Sequence, residues 1–157
     1  MIVSPNYVAL ACCLVITGTS AMAQTSNELE RRYGGRDNQF VRRLSYKVRP
    51  GVIMTASFTK DNQVCEAVIE PQRVSESGID HERLMPAAVA EEVVNEVVPV
   101  ESRGERTGGM IFGNYTSWER AEYEHVSIMR LLVGVGAAEK DLKVDEVRIR
   151  WKRRQCY

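Results

Sequence analysis

The sequence predicts an α+β fold, a mostly antiparallel sheet with one main amphipathic helix packed on it. Three stretches carry that prediction. Val52 to Phe58 and Val64 to Glu70 are β-rich runs on either side of Thr-Lys-Asp-Asn-Gln, the pattern of a β-hairpin. Pro86 and Pro99 bracket a run in which Val89, Ala90, Val93, Val94, Val97 and Val98 recur at helical spacing, opposite Glu91, Glu92, Asn95 and Glu96. Near the end, Val147, Ile149 and Trp151 alternate with Arg148, Arg150 and Lys152, the period of a half-buried strand with a basic outer face.

The chain has 157 residues, one domain's worth. An apolar run, Val8 to Ile16, precedes Ala21-Met22-Ala23-Gln24, where small residues three before and one before a cut fit signal-peptidase cleavage after Ala23. Met1 to Ala23 carries no charged side chain, and its apolar run is shorter than the roughly 20 residues that cross a bilayer. The expected product is a single α+β domain, Gln24 to Tyr157, periplasmic or secreted, with no transmembrane segment in the mature chain. A lipid anchor on Cys12 or Cys13 is the weaker alternative, because Leu10-Ala11-Cys12-Cys13 lies inside the apolar run instead of after it. Beyond the leader only Cys65 and Cys156 remain, and an even count in an exported protein suggests one disulfide. The competing reading is two free buried thiols.

Taken in order, Thr25-Ser26-Asn27 caps a short helix, Glu28 to Tyr33, which Gly34-Gly35 stops. Leu29 and Tyr33 lie four apart and can dock on the sheet together. From Phe40 to Val48 the pattern alternates, with Phe40, Leu44, Tyr46 and Val48 opposing Arg43, Lys47 and Arg49. Pro50-Gly51 turns into the hairpin, whose second arm puts Cys65, Ala67 and Ile69 on one face. Pro71 to His81 is a polar surface loop. Glu101 to Trp118 holds four glycines and no periodicity, so a long loop is expected. Residues 118–133 fit a helix through Trp118, Ala121, His125, Ile128 and Leu132, or a strand from about Tyr123. Clustered β-branched residues favour the strand, with Gly134 and Gly136 in the loop beyond it.

Chemistry is harder to find. Net charge is zero, but it is unevenly spread: seven Lys/Arg against three acids from Glu28 to Pro50, four Arg against eleven acids from Asp61 to Arg106, six basic residues against two acids from Lys143 to Arg154. No global positive field exists, so no nucleic-acid partner is expected. The only histidines are His81 and His125, and no Gly-x-Ser-x-Gly elbow occurs, so no catalytic residue is assigned. His81 with Glu82, or Glu122 and Glu124 with His125, lack metal-ligand spacing, and no metal or cofactor is expected. Glu91 and Glu92 point outward from a helix, where nothing raises their pKa for acid–base work. Gly104 to Gly113 lacks the Gly-Lys-Ser/Thr of a phosphate loop. Asn114-Tyr115-Thr116 is a glycosylation sequon with meaning only in a eukaryotic secretory pathway. The remaining feature is basic: Arg148, Arg150, Lys152, Arg153 and Arg154, joined by Arg43, Lys47 and Arg49 if the two strands are neighbours. Such a patch suits an anionic polymer, a lipid headgroup or an acidic protein. The blander reading is that these cations keep an exposed strand soluble and discourage edge pairing.

Arg49-Pro50-Gly51, the run Cys65-Glu66-Ala67-Val68-Ile69-Glu70-Pro71 and the ending Val147 to Cys156 resemble a group of small exported bacterial proteins with no known activity. The resemblance implies the compartment and no chemistry. The hairpin–helix–strand order is also similar to the periplasmic end of TonB-type energy transducers, but their retained anchor and proline-rich spacer are missing, so that likeness is not adopted. The expected function is a non-enzymatic exported module that binds an envelope protein or surface, or supports envelope structure. The alternatives are a small hydrolase using His125 and the 104–113 loop, and an anionic-ligand or polysaccharide binder using the basic C-terminal strand.

Overall fold

A computed structural model describes residues 24–34, 39–40, 43–72, 84–113, 116–134 and 142–157. The leader 1–23 with Cys12 and Cys13, most of the polar loop with His81 and Glu82, the sequon residues Asn114 and Tyr115, and Gly35 and Gly136 lie outside the described residues. In chain order the elements are α1 (Ser26–Tyr33), β1 (Gln39–Phe40), β2 (Arg43–Arg49), β3 (Val52–Phe58), β4 (Val64–Pro71), β5 (Met85–Pro86), α2 (Ala87–Val97), a 3₁₀ turn (Val100–Ser102), β6 (Arg106–Gly113), β7 (Thr116–Tyr123), β8 (Val126–Val133) and β9 (Lys143–Trp151).

Two antiparallel meanders join edge to edge in one sheet, in the order β1-β2-β3-β4-β9-β8-β7-β6, with β5 pairing the start of β9. The seam runs Glu66↔Arg150, Ala67↔Ile149, Val68↔Arg148 and Ile69↔Val147. Among the described residues the architecture is therefore a mostly antiparallel sheet with two α-helices.

Alternation fixes which face is buried. In β3, Val52, Met54, Ala56 and Phe58 are buried while Ile53, Thr55 and Ser57 are half-buried. In β4, Ala67 and Ile69 face the core and Glu66, Val68 and Glu70 do not. A register shift at Ser57/Phe58 adds a residue on the β4 side, which turns Val64 inward beside Cys65. The connecting turn takes Asn62 to φ 61°, a left-handed conformation that Asn tolerates well. Cys65 and Cys156 are bonded as a disulfide, with Cα atoms 5.4 Å apart, which ties the start of β4 to the residues just past β9.

The helices complete the same hydrophobic cluster. Ala90, Val93, Val94 and Val97 of α2 are buried in a cluster that also holds Ile69, Ile128, Val147 and Ile149. Pro86 sits at the helix N-cap, where its missing N–H costs nothing, and Pro99 follows the last turn. α1 begins with a capping box: the Thr25 N–H donates to Glu28 Oε2 at 2.7 Å and the Glu28 N–H donates to Thr25 Oγ1 at 3.4 Å. Gly34 ends it at φ 83°, and Leu29 is fully buried.

Two expectations change. Glu101 to Trp118 is not a loop: it contains the end of the 3₁₀ turn, all of β6 and the start of β7. All eight residues of β6 are exposed, so neither face imposes the alternation by which a half-buried strand is recognised. The helical alternative for 118–133 is also set aside, because this stretch forms most of the β7–β8 hairpin, with Glu124 and His125 at its turn. The strand expected from about Tyr123 starts at Val126, and Tyr123 closes β7 instead.

One polar tie joins three elements. The Arg49 guanidinium of β2 grips the Glu96 carboxylate of α2, and the Tyr33 hydroxyl of α1 donates to the same carboxylate at 3.1 Å. The Arg49 hydrogen bond holds the Glu96 carboxyl below its ordinary value of 4.5, outweighing burial, which acts the other way. A carboxyl depressed on folding contributes stability that is present above about pH 4.5 and is lost as pH falls through its folded value. Arg49→Met is therefore expected to lower stability near neutrality and to flatten the acid limb of the stability–pH curve. Urea midpoints between pH 3 and 7 check this, and an unchanged acid slope would contradict it.

Candidate functional site

The basic C-terminal residues come first, since the sequence singles them out. β9 lies in the middle of the sheet, between β4 and β8, so its cations do not guard an edge. β2 is separated from it by β3 and β4, and Arg43, Lys47 and Arg49 therefore do not join Arg148 and Arg150 in one patch. Arg148 Nη2 lies 2.8 Å from Glu146 Oε1, and Lys152 Nζ lies 2.7 Å from Glu122 Oε2. Burial raises the Glu122 carboxyl, but hydrogen bonds from Lys152, Ser127 and Arg120 together hold it below the usual range. Arg150 faces Glu66 across the seam. Arg154 turns back, donating from Nη1 to the Val64 carbonyl at 2.9 Å with its guanidinium 5.9 Å from the Trp151 ring, and burial pulls its pKa down. Arg153 is exposed beyond the strand. Most of these cations thus have neighbours of their own.

His125 sits in the β7–β8 turn. Its N–H donates to the Arg103 carbonyl at 3.0 Å and its carbonyl accepts from the Lys152 N–H at 3.1 Å, so its backbone is structural. Its Nε2 lies 3.8 Å from Glu124 Oε2, and among the described residues no hydroxyl or thiol bonds the ring. Gly104, at φ 75°, passes directly beneath: a Cβ there would stand 2.7 Å from Glu124 Cβ. Among the described residues no group of three His, Cys, Asp or Glu could hold a metal ion, and no helix is long and apolar enough to cross a membrane.

The structure draws attention instead to the β6 end of the sheet. On the core side, α2 and the strands β6–β9 line an open cleft of about 700 Å³, floored by Ala121, Leu132 and Val144. Apart from the exposed Arg106, the charges that line it are paired. Arg103, 4% exposed, donates from Nε to the Val98 carbonyl at 3.0 Å and from Nη2 to Asn95 Oδ1 at 2.5 Å, and lies 5.6 Å from the Tyr123 ring centre. Arg130 Nη2 reaches Glu91 Oε2 at 2.6 Å and its Nη1 reaches Glu119 Oε2 at 3.6 Å. A cationic ligand entering here would have to displace Arg130 from Glu91 or Glu119. Among the described residues the lining offers no Ser, Thr, Cys or His as a nucleophile or base.

β6 itself closes the sheet, and among the described residues no strand pairs with its outer edge. Met110, Ile111 and Phe112 are 59%, 68% and 45% exposed. Proteins blunt open edges with short strands, charges or prolines. The opposite edge follows that pattern, since β1 has two residues. β6 has a charge and a register shift only at its start, Arg106 to Gly108, and Thr107 to Gly113 holds neither a charge nor a proline. Its register places Phe112 across from Trp118, and Trp118 across from Leu131, so an apolar band continues inward over the face away from the core. Sequence reasoning missed this site; Met110-Ile111-Phe112 beside two glycines is the signal that was there.

No protein-family model matches the chain. No curated protein matches it either. Among solved structures, a DUF4309 family protein, YjgB from Bacillus subtilis subsp. subtilis str. 168, is similar over 82% of this chain and 78% of that one, at 13% identity and a TM-score of 0.42. At that score the likeness carries nothing about the site.

Arg103 anchors the cleft by groups that are buried and bonded. Arg103→Met is expected to cost about 1–3 kcal/mol, because the Val98 carbonyl and the Asn95 amide lose their donor. The exposed Arg106→Met should stay within about 0.5 kcal/mol of the parent. Urea unfolding of both variants checks the contrast, and equal midpoints would contradict it.

Proposed function

We propose that this chain is a non-enzymatic exported module that binds an extended protein segment along β6 by β-strand addition. In that mode the partner's main chain pairs with the open edge, and side chains on alternate positions supply specificity. The observation that supports it is β6: an eight-residue edge strand, wholly exposed, carrying three large apolar side chains and, past Arg106, neither a charge nor a proline. Export after cleavage near Ala23 is part of the same proposal, supported by the uncharged leader and by the disulfide, a bond favoured outside reducing compartments. So is a single domain from Gln24 to Tyr157 with α2 as its one main helix packed on the sheet.

Hydrolysis through His125 has little to build on, since its ring has an acid nearby and no described nucleophile bonded to it. An anionic polymer on Arg148, Arg150, Lys152, Arg153 and Arg154 would compete with Glu146 and Glu122 for two of the five.

Display of a random library of extended peptides tests the reading. Enriched peptides should alternate apolar with polar residues, and the backbone amide shifts that they induce in this chain should cluster at Arg106–Gly113 and β7. Ile111→Lys should weaken them about tenfold, the effect of losing one apolar anchor. Shifts centred elsewhere with Ile111→Lys silent would reject the reading, as would ester or peptide hydrolysis that His125→Ala abolishes.

A further inference from the structure

We propose that the segment received by β6 is β6 of a second copy of this chain, antiparallel about a two-fold axis through Met110. This rests on the strand-addition reading and names its partner. The strand's own order of sizes carries the argument. Outward from Met110, Gly109 and Gly108 lie on one side, Ile111 and Phe112 on the other. In an antiparallel pair centred on Met110, Ile111 of each copy faces Gly109 of the other, and Phe112 faces Gly108. A large side chain beside a glycine fills the space that the missing Cβ leaves, a pairing that stabilises edge glycines.

The faces agree as well. The register with β7 puts Gly108, Met110 and Phe112 on the face away from the core, opposite Glu122, Arg120 and Trp118, and puts Gly109 and Ile111 on the core side. A Cβ at Gly108 would have only Glu122 Cβ in contact range, at 3.8 Å, so there is room for Phe112 of the second copy. On the core side the space at Gly109 is already taken, since a Cβ there would stand 2.9 Å from the Arg120 carbonyl oxygen and 3.1 Å from Arg106 Nη2. Ile111 of the second copy would lie on the Arg106 side chain, whose stem is apolar. The neighbouring same-face registers are poorer. Centring on Gly109 sets Arg106 across from Phe112, and centring on Ile111 leaves Gly109 facing Gly113. With Met110 at the centre, the bands formed by Met110, Phe112, Trp118 and Leu131 in the two copies become continuous. No charged residue lies between Thr107 and Gly113 to oppose the approach.

Cysteine trapping separates this register from strand addition in general. Facing residues of an antiparallel pair have Cα atoms about 4.5–5.5 Å apart, within disulfide reach. M110C should therefore cross-link to its own copy on mild oxidation, whereas I111C, which faces Gly109, should not. Sedimentation equilibrium of the unsubstituted chain should show monomer and dimer, and F112K should raise the dissociation constant about tenfold. A chain that stays monomeric at its solubility limit, or M110C that cross-links no better than I111C, overturns the second copy. If β6-directed peptides still bind in that case, strand addition stands with a different partner. If they do not, both proposals fall.

Discussion

The pairing of β4 with β9 is the constraint on which the rest of this structure depends. Each meander is built from hairpins between sequence neighbours, and among the described residues this seam is the one strand pairing between the two meanders. Its core-side residues, Ala67, Ile69, Val147 and Ile149, are fully buried, with the small Ala67 facing the branched Ile149. The Cys65–Cys156 bond closes a loop with a sequence separation of 91 at one end of the seam. Loop-closure entropy credits such a bond with roughly 4–5 kcal/mol. Joining the meanders here uses up one edge of each. That leaves the two-residue β1 at one margin and the eight-residue β6 at the other.

Charge is arranged to hold elements together more than to attract ligands. Arg49 with Glu96 ties β2 to α2, and Arg130 with Glu91 and Glu119 ties β8 to α2 and β7. Pairing of this kind, in a chain of zero net charge, leaves little long-range field to steer an anionic partner. Under the strand-addition proposal recognition falls to short-range terms, main-chain hydrogen bonds and apolar contact, and β6 is where the described surface offers both.

Elements with one buried face were legible in the sequence. The hairpin, α2 and β9 each repeat at the period of their geometry, because the core selects every second residue of a strand or one stripe of a helix. β6 was not, since nothing selects its side chains on either face. β7 was disguised differently: Glu119 points to the core side and is matched by Arg130, so a charge stands where the alternation calls for an apolar residue. The basic face of β9 was read correctly as a face, yet its place in the sheet was not. Outward cations on a strand look the same whether its neighbours are solvent or, as here, β4 and β8 carrying Glu66 and Ser127. Strand order depends on pairing between residues far apart in sequence, which local patterns do not record.

Native-state hydrogen exchange, with the disulfide intact and in the Cys65→Ser/Cys156→Ser chain, tests the central role of the seam most directly. Amides of β4 and β9 should exchange only through global unfolding, at one shared free energy. Removing the bond should lower that value for both strands together, by up to roughly 4–5 kcal/mol. If β2–β4 and β7–β9 instead exchange at two separate free energies, and losing the bond changes neither, the halves are independent and the seam does not hold the fold together.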